Sequence, residues 1–155
     1  MIANSVYFAQ HGFAVDKAED PERPLSETGI QQTKKMAEAL YNAKVPITSI
    51  FHSGKLRSLQ TARIIAETID LVTDNLKQHS HLSPNDDIQL LLPQLQHNAL
   101  YVGHLPHLDK LCNYLLTGNN DTGMILFRNS AVICLALCED MCQLNWYLTP
   151  EIIIS

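Results

Sequence analysis

The chain has 155 residues, 46% of them apolar, and a formal net charge of −5. That length is expected to fold as one domain over residues 1–155 with a substantial core, and the apolar content argues against a disordered chain. The acidic balance argues against a nonspecific nucleic-acid binder, which needs a basic face to displace counterions from phosphates.

The first segment, Ser5 to Ala9, reads as a strand and stops at Gln10-His11-Gly12. In the following stretch Thr28 and Gln31 have the spacing of a capping box, and Ile30, Met36, Ala37, Leu40 and Tyr41 recur at helical spacing, which predicts an amphipathic helix. Pro46 punctuates, Ile47 to Phe51 reads as a second strand, and Ser53 is placed to cap a helix running to about Ile69. Thr73 to Ser80 reads as a polar connection, and PNDDIQLLLPQL as a short helix limited by Pro93. ALYVGH then predicts a buried strand that ends on Gly103-His104. GMILF, SAVICLAL and QLNWYLT read as three further strands separated by turn-forming residues. Strands alternating with helices predict a three-layer α/β/α sandwich with a mostly parallel sheet.

The longest apolar runs, such as Ala131 to Cys138, fall far short of the roughly 20 residues that cross a bilayer. Met1 to Ser5 carries neither the basic residues nor the apolar core of a secretory signal, so a cytoplasmic protein with no membrane partner is expected. Cys112, Cys134, Cys138 and Cys142 include no CxxC pair and no accompanying histidine spacing, so a metal site is not expected. Cys134 and Cys138 are read as small buried hydrophobes sharing one strand face.

Between the two strand ends that carry histidine lies HSGKLRSLQTA, in which a strand delivers Arg57 into the first turn of a helix. In a parallel sheet these carboxyl ends share one edge, where α/β proteins bind ligands. His11, Arg57 and His104 would then form a small cationic pocket facing the free N–H groups of a helix start, and the guest suited to it is phosphate.

These segments, in this order, resemble the histidine phosphatase superfamily, whose fold is phosphoglycerate mutase-like. The family's Arg-His-Gly opening is met by Gln10-His11-Gly12, its Arg-Pro-Leu segment by RPLSETGIQQ, and its Ser-x-x-x-Arg-x-x-Gln-Thr-Ala signature by SGKLRSLQTA. VGHLPHL is similar to the late Gly-His motif of the short SixA-type phosphohistidine phosphatases. The resemblance implies that His11 is the nucleophile that carries the phosphoryl group, with Arg57 and His104 supplying positive charge, Gly12 allowing a sharp turn, and Arg23 at the rim. A neutral imidazole with one nitrogen fixed by backbone can present the other to phosphorus, so the implied chemistry needs no cofactor or metal. The implied partner is a phosphohistidine-bearing signalling domain or a small phosphorylated substrate.

The departure is Gln10, which replaces a charged arginine fork by a neutral amide within the set Gln10, His11, Gly12, Arg23, Arg57 and His104 expected to hold phosphate. Two further readings follow: a noncatalytic reader of a phosphorylated partner, and a small-molecule phosphomonoesterase. The last requires a carboxylic acid over the leaving oxygen, for which Asp20, Asp86 and Asp87 are the candidates. His107 and Lys55 are expected to be peripheral, and His52, His79, His81 and His97 to be surface or packing positions.

Overall fold

The computed structural model describes residues 4–154. Strand β1 (Ser5–Gln10) is followed by helix α1 (Glu27–Asn42), β2 (Ser49–His52), α2 (Leu56–Thr68), β3 (Leu76–Gln78) and the single-turn α3 (Ile88–Leu91). Then come β4 (Ala99–Gly103), α4 (His107–Thr117), β5 (Val132–Ala136) and β6 (Gln143–Leu148). The described residues form a six-stranded sheet in the order β3-β2-β4-β1-β5-β6. Its β3, β2, β4 and β1 pairings are parallel, and β5 and β6 extend it antiparallel.

The α/β/α layering follows from strand periodicity. Val6 and Phe8 face one side with Tyr101, Leu108 and Leu111, while Tyr7 and Ala9 face the other with Met36, Leu40, Ile65 and Val102. Both faces of β1 and β4 are buried, which is why their sequences are apolar without alternation. Tyr101 stacks between Phe8 and Phe51, at ring-centroid distances of 5.7 and 5.1 Å. Its buried hydroxyl accepts the Gln96 N–H at 2.9 Å.

Register sets the position of the site. Gln10 pairs with Gly103 and His52 with Val102, so β1, β2 and β4 end together at one edge. No helix among the described residues is long and apolar enough to cross a membrane.

Several local expectations are corrected. Ser26, not Thr28, caps α1, accepting the Gly29 N–H at 3.0 Å. Leu76–Gln78 is a strand inside the segment read as a polar connection, because it pairs with β2 as an edge strand whose side chains are largely exposed. GMILF is not a strand: Met124 N–H bonds the Asn113 side chain and Leu126 O accepts the Tyr147 hydroxyl, so side chains replace a ladder. Cys138 lies beyond the end of β5 and is exposed, whereas Cys134 is buried as expected.

Candidate active site

The carboxyl ends of β1 and β4 and the start of α2 enclose a cavity of about 350 Å³ lined by Gln10, His11, Arg23, Arg57, His104 and Asn129 among others. Backbone bonds fix this edge: His11 N–H reaches Gly103 O at 3.1 Å and Ser130 N–H reaches Gln10 O at 3.0 Å. His11 Nδ1 lies 2.7 Å from its neighbour's carbonyl, Gly12 O. A carbonyl can only accept, so Nδ1 carries the proton and Nε2 keeps its lone pair. Burial first of all pulls the His11 pKa down to about 4, partly offset by the Gly12 bond and reinforced by Arg57 and Arg23. The ring is therefore neutral at pH 7, the form that can attack.

His104 sits beside it, ring centroids 4.9 Å apart. Its Nε2 is 2.6 Å from Ser53 Oγ and its Nδ1 is buried without a partner. Burial, with His11 and Arg57 nearby, holds His104 down to about 3. The pair of histidines is thus uncharged in the open site. The standing cations are Arg57, whose Nε is buried without a partner, and Arg23, whose Nε donates to Val15 O at 3.1 Å. Burial and then Arg23 lower the Arg57 pKa, yet a guanidinium remains charged.

The α2 signature residues build the site as well as packing the helix. Thr61 Oγ1 accepts the Gly12 N–H at 2.9 Å and donates to Arg57 O at 2.8 Å. Gln60 Oε1 accepts the Leu25 N–H at 2.7 Å, fastening the segment that carries Arg23 onto α2. Ser58 Oγ donates to Val102 O at 2.7 Å and accepts the Ser53 N–H at 3.0 Å. Ser53 does not cap α2 through its side chain, since the cap position is Lys55; its hydroxyl is held against His104 instead. Gly12 is needed for space rather than for an unusual turn: a Cβ there would lie 2.8 Å from Thr33 Oγ1 and 3.0 Å from Ser130 Oγ.

The sequence model of the histidine phosphatase superfamily (branch 1) matches residues 6–81, which contain the Gln10-His11-Gly12 and Arg57 segments. Phosphohistidine phosphatase SixA of Escherichia coli strain K12 is 29% identical over 154 residues, spanning 94% of this chain and 93% of that protein. The chain belongs to the histidine phosphatase superfamily. A solved structure of the protein histidine phosphatase SixA complexed with tungstate superposes with a TM-score of 0.81 at 27% identity, covering 95% of this chain and 97% of that one. A phosphoserine phosphatase from Entamoeba histolytica with 3-phosphoglyceric acid shares the fold at a TM-score of 0.72 and 15% identity, over 94% and 96% of the two chains. Membership and the full-length similarity to SixA assign phosphatase chemistry to the chain.

Within this superfamily site the sequence-expected residues Gln10, His11, Arg23, Arg57 and His104 all line one cavity, and Gly12 lies buried behind it. Gln10 Oε1 is buried without a partner. The three candidate acids do not line the cavity. Asp20 caps a turn by accepting the Glu22 N–H at 3.0 Å, Asp86 accepts from Ser83 N–H at 2.8 Å, and Asp87 caps α3 through Gln89 N–H at 2.9 Å. Among the described residues no group of three or more His, Cys, Asp or Glu side chains is arranged to hold a metal ion. Asn129, which sequence reasoning missed, lines the cavity and donates from Nδ2 to His11 O at 2.9 Å. It lies in a loop just before β5, where no helical or strand periodicity marks it.

Proposed function

We propose that the chain is a phosphohistidine phosphatase of the SixA type, which removes the phosphoryl group from a histidine on a signalling protein through a phosphorylated His11. The observation that carries this reading is His11 itself, neutral, with Nδ1 fixed by Gly12 O and Nε2 free, in a cavity whose fixed charges are two guanidiniums. Phosphoryl transfer depends chiefly on positioning and preplaced charge, and Arg57 and Arg23 supply the charge while the amide N–H groups of Gln10 add a neutral donor. The chemistry so described uses no metal.

The absence of a carboxylate from the cavity lining supports a nitrogen-bound substrate over a phosphomonoester. An alkoxide leaves poorly without a proton, whereas imidazole leaves readily from phosphorus. Phosphate release from a phosphohistidine-bearing domain, run beside a phosphoserine peptide and a small phosphomonoester, tests the substrate class. The expected result is release from the first alone, abolished by His11→Ala. Equal release from the phosphomonoester would refute the substrate assignment.

A second reading rests on Gln10. Replacing one charge-assisted donor by a neutral amide costs roughly 2–4 kcal/mol at the transition state, about 10²–10³ in rate. Such a site can hold a phosphorylated partner longer than it processes one. Stable binding of the phosphorylated domain without release of phosphate would favour this reader.

A further inference from the structure

We propose that Asn129 orients the water that hydrolyses the phosphorylated His11. The inference rests on His11 as the nucleophile and concerns the second half of the reaction. His11 Nδ1 keeps its proton through the Gly12 O bond, so the intermediate is an imidazolium carrying the phosphoryl group on Nε2. Water then forms an O–P bond as the P–Nε2 bond breaks. The bonding pair returns to Nε2, the ring leaves as neutral imidazole, and both water protons remain on the product as dihydrogen phosphate. No proton has to reach the leaving nitrogen and none has to be removed before attack. Through a loose transition state, the step needs an acceptor that aims the water more than it needs a strong base.

The cavity contains one side chain fitted to that task. Arg23 and Arg57 only donate. Gln10 Oε1 is buried, and His104 has Nε2 engaged with Ser53 and Nδ1 buried. Asn129 differs because its amide orientation is fixed by chemistry: His11 O can only accept, so the group 2.9 Å from it is the NH₂. Oδ1 is thereby left as an acceptor without a protein partner, and it is not among the buried polar atoms. The same amide grips the nucleophile's own backbone, which ties the position of the water to the position of the phosphorus.

The test separates the two half-reactions. Native protein, Asn129→Ala and Asn129→Asp are mixed with phosphoramidate, quenched at intervals, and the phosphate on His11 is quantified as it forms and, after removal of donor, as it decays. In Asn129→Ala the decay is expected to slow roughly tenfold or more, the loss of about one neutral hydrogen bond at the transition state, while capture changes little. The phosphorylated protein then accumulates and kcat falls with kcat/KM retained. Asn129→Asp keeps an acceptor oxygen but loses the NH₂ that grips His11 O, so its decay is expected to fall between that of native protein and Asn129→Ala, while its capture slows because a carboxylate now faces the incoming phosphate. Slower capture with unchanged decay in Asn129→Ala would overturn the proposal and leave Asn129 a structural brace for His11. Native protein that never carries phosphate on His11 would overturn the nucleophile reading and this inference with it.

Discussion

At the scale of single residues, environment decides more than residue type. His11 and His104 are both histidines at strand ends, yet one keeps a free Nε2 over the cavity while the other is bonded to Ser53. Because His11 is held to about pKa 4, the acid limb of kcat/KM is expected near pH 4, well below the ordinary histidine range near 6.5. A pH–rate profile with its acid limb near 6.5 would contradict this. Arg57→Gln removes a permanent charge from the phosphoryl oxygens, and initial rates are expected to fall about 10²–10³-fold with the fold intact by circular dichroism. His11, Arg57 and His104 were legible because each sits in a motif at a strand or helix end, whereas Arg23, in the loop between β1 and α1, was reached only through the resemblance of its Arg-Pro-Leu segment. Asn129 was not legible, since a loop residue that reaches the site from the start of the neighbouring strand β5, more than a hundred residues on, leaves no local spacing. The burial that lowers the His104 pKa in the open site is equally invisible in a list of residue types.

At the scale of elements, the loop from β1 to α1 and the start of α2 are joined by small residues and hydroxyls. Gly29 allows α1 to press on this loop, since a Cβ there would collide with Phe13 O. Thr61→Val keeps the shape but leaves the buried Gly12 N–H without its partner, which costs about 1–3 kcal/mol in denaturant unfolding and loosens the nucleophile. An unchanged unfolding midpoint would show that the Gly12 N–H finds another acceptor. Gly12→Ala, crowded by Thr33 and Ser130, is expected to lose activity even where it folds. Helices α1 and α2 and the central strands were readable from their apolar patterns, whereas α4 was not read as a helix, and β3 was missed because an exposed edge strand of three residues has almost no apolar pattern. GMILF misled for the opposite reason: its apolar residues resemble a strand, but Met124 and Leu126 are exposed and the backbone bonds to side chains.

At the scale of the whole molecule, the site is held in place by buried neutral histidines, and this has a consequence for stability. His11, His104 and His107 all have folded pKa values below the ordinary one, His107 chiefly by burial and against the pull of Asp86 and Asp87. Below about pH 6.5 the unfolded chain takes up protons that the folded chain refuses, so this stability is complete above that pH and is lost on acidification toward pH 4. Both His107 ring nitrogens lack partners, so His107→Leu is expected to flatten the fall in urea midpoint between pH 7 and 5. An equally steep fall would assign the acid sensitivity to other groups. The layering and the mostly parallel sheet were foreseen from the alternation of strands and helices, but the strand order β3-β2-β4-β1-β5-β6 was not. The register that aligns Gln10 with Gly103 was not, because pairing is a tertiary outcome. The central claim is covalent transfer through His11, and its most direct test is mass-spectrometric mapping of the protein quenched during reaction with a phosphohistidine-bearing domain. The account predicts an acid-labile, alkali-stable phosphate on His11, absent from His11→Ala; phosphate release in native protein with His11 unmodified, and persisting in His11→Ala, would contradict it.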